Sequence, residues 1–110
     1  MAEFKLCDED GKLYTCRNCR TPIALGDDLI SKQFKAKSGA ACMFGHAMNV
    51  VLGYKQDREL ITGLFTIADI HCSRCGEELG WKYVRAFDIR QRYKEGKFII
   101  ECVKIVKECS

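Results

Sequence analysis

Two pairs of cysteines, Cys16-Arg17-Asn18-Cys19 and Cys72-Ser73-Arg74-Cys75, share the spacing C-x-x-C. Cysteines two residues apart can turn both sulfurs to the inside of one tight turn, so each pair supplies two thiolates about 2.3 Å from a metal ion. Two such knuckles complete a tetrahedron, the donor set of a structural zinc site. Cys16, Cys19, Cys72 and Cys75 are therefore the expected ligands of one zinc ion. Gly76, directly after the second pair, suits a turn of positive φ whose amides point at sulfur. Arg20 holds the matching place after the first pair, which leaves that knuckle less well specified. A redox dithiol is the other chemistry open to a C-x-x-C pair, but two pairs in one short chain point jointly to metal. A closed four-sulfur shell has no open coordination position, so the expected role of the ion is structural and no catalytic residue is assigned.

The segment between the pairs, Arg20 to His71, is far longer than the roughly 15 to 20 residues that separate ligand pairs in a compact finger. The ion would instead staple two distant parts of one domain and close a long loop. A chain of 110 residues, 47% hydrophobic and 30% charged, fits a single domain over 1–110 with a core of about 12–107. It begins with the polar Ala2-Glu3-Phe4-Lys5, without the pattern of a signal peptide, and no apolar run approaches the ~20 residues needed to span a bilayer. Its eight cysteines are thus expected in a reduced, intracellular, soluble protein. The formal charge of +3 counts every thiol as neutral. Four thiolates around a divalent ion bring it to about +1, which is no electrostatic footprint for nucleic acid. Arg17, Arg20, Arg74 and Lys82 lie in or near the ligand loops, where they would balance the anionic cluster.

The elements that must position the ligands read as strands. Asp8-Glu9-Asp10-Gly11 marks a turn, and Lys12–Cys16 a short strand that delivers the first knuckle. After Pro22 and the turn Gly26-Asp27-Asp28, Leu29–Lys35 has the composition of a half-buried strand, and Met48–Leu52 that of another. Tyr54–Arg58 reads as polar loop. Glu59–His71 is the longest β-rich run, with Gly63 a bulge or close-approach point, and it leads into the second knuckle. Beyond Gly80, the alternation Trp81, Tyr83, Arg85, Phe87 places one face of a strand leaving the metal. A short helical turn is expected near Asp88–Arg92, a turn at Tyr93–Gly96, and a last strand over Lys97–Lys107 buried on both faces near its centre.

These residues resemble the Yippee-like family over Cys16 to Glu101. The pattern is present as Cys16-x2-Cys19, Gly39, Asn49, Gly63, Cys72-x2-Cys75, Gly80-Trp81-Lys82-Tyr83 and Tyr93-Lys94-Glu95-Gly96-Lys97-Phe98. Met43, where relatives usually carry leucine, is a conservative departure. The resemblance implies a mainly β fold, a β-tent of two antiparallel sheets pinned by one four-cysteine zinc site. It is shared more distantly with the thalidomide-binding domain of cereblon and with Mis18. In cereblon-type domains a tryptophan nine residues after the first cysteine of the second pair walls an aromatic cage, and that position is Trp81. The other two walls fall on Ile67 and Ile61, so a three-tryptophan cage is absent. Trp81 is expected chiefly as core. The rival reading gives Trp81, Tyr83, Ile61 and Ile67 to a shallow pocket for a small ligand or peptide side chain.

The remaining candidates are weaker. His46 and His71 are not needed as ligands, since four sulfurs complete the shell. Cys42 and Cys102 read as small hydrophobes in apolar strands, and Cys7 and Cys109 as exposed thiols. The function expected is a non-enzymatic, zinc-stabilised binding module for protein partners. The family resemblance implies nuclear and cytoplasmic roles in cell division or growth, and for some members ubiquitin-ligase assemblies; a monomer is expected, with no nucleic acid and no membrane. The alternative is an enzyme similar to the B-type methionine sulfoxide reductases, which also hold zinc with two C-x-x-C pairs and add a late catalytic cysteine. Cys102 is the candidate by position, although its apolar neighbours and the adjacent Glu101 would raise a thiol pKa.

Overall fold

The computed structural model describes residues 12 to 109, and among them the regular structure is β apart from three short 3-10 turns. The strands are β1 (Lys12–Cys16), β2 (Pro22–Leu25), β3 (Leu29–Ala36), β4 (Gly39–Phe44), β5 (Val50–Leu52), β6 (Gln56–Leu60), β7 (Gly63–Cys72), β8 (Glu78–Ala86), β9 (Phe98–Glu101) and β10 (Ile105–Cys109). The 3-10 turns are Gly26–Asp28, Ile89–Lys94 and Cys102–Lys104. No described helix is long and apolar enough to cross a membrane.

Two antiparallel sheets result. The smaller has the order β10-β1-β2; the larger runs β3-β4-β9-β8-β7-β5, with β6 also paired to β7. Strand pairing puts the two knuckles at strand ends. Cys16 ends β1 opposite Ile105, and Cys72 ends β7 opposite Val50. Each ligand turn thus hangs from a different sheet.

The large sheet buries both faces, as alternation along its strands shows. Cys42, Phe44, Ile70, Phe98 and Ile100 join Tyr14, Ile23, Ala24 and Ile105 of the small sheet in one core, which also contains Cys16 and Cys72. Ala41, Met43, Phe65, Ile67 and Ile99 point the other way, into a second core with Tyr83 and Ala86. In β8 the simple alternation fails. The β7–β8 register passes from Ile70↔Gly80 to His71↔Glu78 and from Thr66↔Arg85 to Ile67↔Tyr83, which leaves Leu79 and Val84 as extra residues. Each such bulge swaps the face of the residues beyond it. Leu79 therefore lies in the first core, Tyr83 in the second, and Ala86 is buried where Arg85 was expected on the Trp81 face.

Lys12–Cys16, Leu29–Lys35 and the helical turn after Asp88 fall where the sequence places them. Four expectations need correction. Gln56–Leu60 is a strand paired with β7 rather than polar loop, because a solvent-facing edge strand can be wholly polar on its outer side. The run Glu59–His71 is broken at Ile61-Thr62, the tip of a hairpin, and Gly63 serves that tip with φ 139° instead of a bulge. Pro22–Leu25 is an edge strand that the lone proline obscured. The last run is two strands in different sheets, since the 3-10 turn Cys102–Lys104 carries the chain from one sheet to the other. The Asp8–Gly11 turn and Cys7 lie outside the described residues, as does the side chain of Cys109.

Candidate metal centre

The four sulfurs of Cys16, Cys19, Cys72 and Cys75 lie within 4.8 Å of one another. Cys16 and Cys75 are 3.6 Å apart across the two knuckles, as are Cys19 and Cys72. A tetrahedron with metal–sulfur distances of about 2.3 Å has sulfur–sulfur edges of roughly 3.8 Å, whereas a disulfide needs about 2.05 Å. The spacing is that of a ligand shell, and all four cysteines are free thiols. Each knuckle contributes one buried sulfur, Cys16 or Cys72, and one exposed residue, Cys19 or Cys75.

The two knuckles are built alike. The Arg20 N–H donates to the Cys16 carbonyl at 2.7 Å, and the Gly76 N–H to the Cys72 carbonyl at 2.9 Å. The Cys16 N–H donates to the Thr21 carbonyl at 2.8 Å, and the Cys72 N–H to the Glu77 carbonyl at 2.9 Å. Both turns close through a left-handed residue, Gly76 at φ 80° and Arg20 at φ 64°. Arg20 thus forms a knuckle of the same shape, at the cost a side chain incurs in that region. Its guanidinium pairs with Glu108 at 2.9 Å, and so ties the turn to β10.

Each knuckle is also fastened from outside. The Arg17 N–H donates to the Lys104 carbonyl at 2.9 Å, and the Arg17 Nε to the Val103 carbonyl at 2.9 Å. The Ser73 N–H donates to the Asn49 carbonyl at 2.9 Å, while the Asn49 side-chain amide donates to the Pro22 carbonyl at 2.8 Å. Asn49 sits at φ 56°, a conformation asparagine tolerates. Lys104 Nζ reaches Glu77 at 2.6 Å, and these residues line a cleft of about 280 Å³ with Arg17, Asn18 and Val103. The supports were not legible beforehand. Asn49 stood out only as a position in the family pattern, and Thr21, Asn18 and Lys104 act through backbone or through-space contacts that spacing does not encode.

Taken as free thiols, Cys16, Cys19 and Cys75 are unequal. Burial pushes the Cys16 thiol up to about 12, since a thiolate there loses its hydration. The Thr21 hydroxyl, 3.1 Å from Cys19 Sγ, brings Cys19 down to about 6. The Asn18 side chain lowers Cys75 in the same way. Such groups stabilise sulfur-borne negative charge, which suits these sulfurs to a soft divalent ion. Neither His46 nor His71 belongs to the sulfur cluster.

The second set of candidates is brought together only in part. Ile67 and Tyr83 are 4% and 3% exposed in the second core, and Trp81 packs against it with its ring 6.1 Å from that of Tyr83. Burial raises the Tyr83 phenol, and the Trp81 N–H draws it partly back without meeting hydrogen-bond geometry. Ile61 does not join them: it stands fully exposed at the β6–β7 tip. Cys102, the reductase candidate, is half-buried in a 3-10 turn and not in a strand, with its sulfur 3.7 Å from that of Cys42.

Comparison with known proteins agrees with this geometry. Residues 12–108 match the family model described as Yippee zinc-binding/DNA-binding/Mis18, centromere assembly. Protein yippee-like At4g27740 of Arabidopsis thaliana is 63% identical over 94 residues, covering 86% of this chain and 90% of that protein. Human protein yippee-like 3 is 46% identical over 101 residues, covering 92% and 85%. Among solved structures, the Mis18 "Yippee-like" domain superposes with a TM-score of 0.70 over 90% of this chain and 96% of that one, at 14% identity, a likeness of fold alone. With a four-cysteine cluster at the junction of two antiparallel sheets and relatives this similar across most of its length, the chain belongs to the Yippee-Mis18 family.

Proposed function

We propose that the chain is a non-enzymatic protein-binding module whose two sheets are held together by one zinc ion on Cys16, Cys19, Cys72 and Cys75. The observation that carries this reading is the sulfur tetrahedron itself. Four thiols from two knuckles fill the coordination shell, so the ion has no position for a substrate or an activated water. Binding of zinc at these residues supplies folding free energy, and the sheets then act as a rigid scaffold.

Support for protein partners comes from the apolar surface. Leu64, Phe87 and Ile89 are exposed near one end of the large sheet, where the Phe87 N–H donates to the Leu64 carbonyl, and Ile61 caps the adjacent hairpin. Exposed apolar residues of this kind mark an interaction site where they form one contiguous patch. Ubiquitin-ligase assemblies are the partner class that the family resemblance suggests, in the nucleus or the cytoplasm. The family description also mentions DNA. A net charge of about +1 with the ion bound gives little counterion release, so tight duplex binding is not expected.

The test is quantitative capture of a partner identified with the native chain, repeated with Leu64→Asp, Ile89→Asp and Trp81→Ala, each checked for metal content and circular dichroism. Loss of capture with folding intact in the two aspartate variants supports the exposed surface. Loss in Trp81→Ala alone, again with folding intact, gives the role to a pocket beside Trp81, and collapse of that variant assigns Trp81 to the core. The thiol pair Cys42 and Cys102 keeps one enzymatic reading in view. Turnover of methionine sulfoxide by the purified chain, lost in Cys102→Ser, would overturn the non-enzymatic proposal.

A further inference from the structure

Among the described residues, the fold brings together one other pair of thiols outside the metal centre. Cys42 on β4 and Cys102 at the start of the 3-10 turn are 60 positions apart in sequence, yet their sulfurs are 3.7 Å apart. They line one cleft of about 230 Å³ with Tyr14, Lys32, Ile105 and Lys107. Cys42 is 6% exposed and Cys102 is half-buried, so Cys102 is the sulfur that a small reagent reaches first. Lys32 and Lys107 line the same cleft, and their ammonium groups suit an anionic reagent. The neighbouring Glu101 is buried and accepts a hydrogen bond from the Ser38 hydroxyl, so its carboxylate is engaged away from the thiols.

We propose that Cys42 and Cys102 form a reversible disulfide by exchange with an anionic low-molecular-weight disulfide, independently of the metal ligands. The Cys102 thiolate attacks one sulfur of the small disulfide; a mixed disulfide forms and one small thiolate leaves. The Cys42 thiolate then attacks the Cys102 sulfur, forming the protein disulfide and releasing the second small thiolate. The two protons of the protein thiols pass to the two released thiolates, and the small disulfide is reduced by two electrons. The sulfurs need to approach by less than 2 Å to reach the bonded distance of about 2.05 Å.

The position of the pair gives this chemistry a consequence. The turn Cys102–Lys104 receives the Arg17 N–H on the Lys104 carbonyl and the Arg17 Nε on the Val103 carbonyl, and Lys104 reaches Glu77 beside the second knuckle. A disulfide from β4 to this turn therefore ties the large sheet to the segment that braces both knuckles.

The experiment exposes the native, metal-loaded chain to glutathione disulfide, alkylates the remaining thiols, and maps every cysteine by peptide mass spectrometry. The expected product is the Cys42–Cys102 disulfide, reversed by reduced glutathione, with Cys16, Cys19, Cys72 and Cys75 unmodified. Cys42→Ser should stop at a glutathione adduct on Cys102. Three results overturn the proposal: no bond between the two sulfurs, linkage of either one to a different cysteine, or oxidation of the metal-site cysteines first. Should Cys42→Ser fail to fold, the native chain treated first with a substoichiometric alkylating agent serves instead, since capping Cys102 must then abolish the disulfide.

Discussion

Asn49 is a single residue on which both halves of the four-cysteine cluster lean. Its backbone carbonyl accepts from Ser73 in the second knuckle, and its side chain donates to Pro22 at the exit of the first. It does so from a left-handed conformation, φ 56°, that costs an ordinary L-residue about 1–2 kcal/mol. Asn49→Ala loses the hydrogen bond and meets that strain, and should destabilise the metal-loaded chain by about 2 kcal/mol in a denaturant titration. Asn49→Gly keeps the conformation and loses only the bond, so its cost should be smaller. Equal losses in the two variants would mean that the backbone conformation at Asn49 is not strained.

Among the elements, β8 shows why strand order alone does not give the packing. Its two bulges, at Leu79 and Val84, turn successive stretches toward opposite cores. The first leaves Gly80 against β9, where a Cβ would stand 1.9 Å from the Ile99 carbonyl oxygen. Gly80→Ala must push two paired strands apart and is expected to cost about 3 kcal/mol or prevent folding, as read from its thermal midpoint. An unchanged midpoint would contradict this packing. The 3-10 turn Cys102–Lys104 makes a pH-dependent claim. Glu77 raises the Lys104 ammonium above its ordinary 10.5, so the stability gained from the pair is fully present below that pH and is lost as pH rises through the raised value. The native chain should therefore melt above Lys104→Met at pH 8, and the gap should close well above pH 10.5. A gap unaffected by pH would assign the lysine to packing alone.

These same elements mark how far the sequence could be read. Local composition was enough for β1, β3 and the turn after Asp88, since each follows from residues adjacent in the chain. The clustering of Cys16, Cys19, Cys72 and Cys75 was legible because C-x-x-C spacing is itself a geometric constraint. The bulges in β8, the sheet change at Cys102 and the Cys42–Cys102 contact were not, because each depends on which strand lies opposite. Ile61 illustrates the same limit: the resemblance to cereblon-type domains implied a place beside Trp81, while the β6–β7 hairpin carries it into solvent.

At the scale of the whole molecule, two antiparallel sheets share one core, and each presents a cysteine knuckle at a strand end of that core. Cys16 and Cys72 belong at once to the hydrophobic interior and to the sulfur cluster. Removing an ion from such a site leaves four thiols, two of them buried, without a common partner, so the sheets should lose their common anchor together. The most direct measurement is native mass spectrometry of the purified chain before and after chelation, with circular dichroism followed on the same samples. One zinc ion per chain, and a β signal that collapses as the ion is withdrawn and returns when it is restored, is the predicted result. No bound zinc, or a β signal indifferent to its removal, would contradict the account.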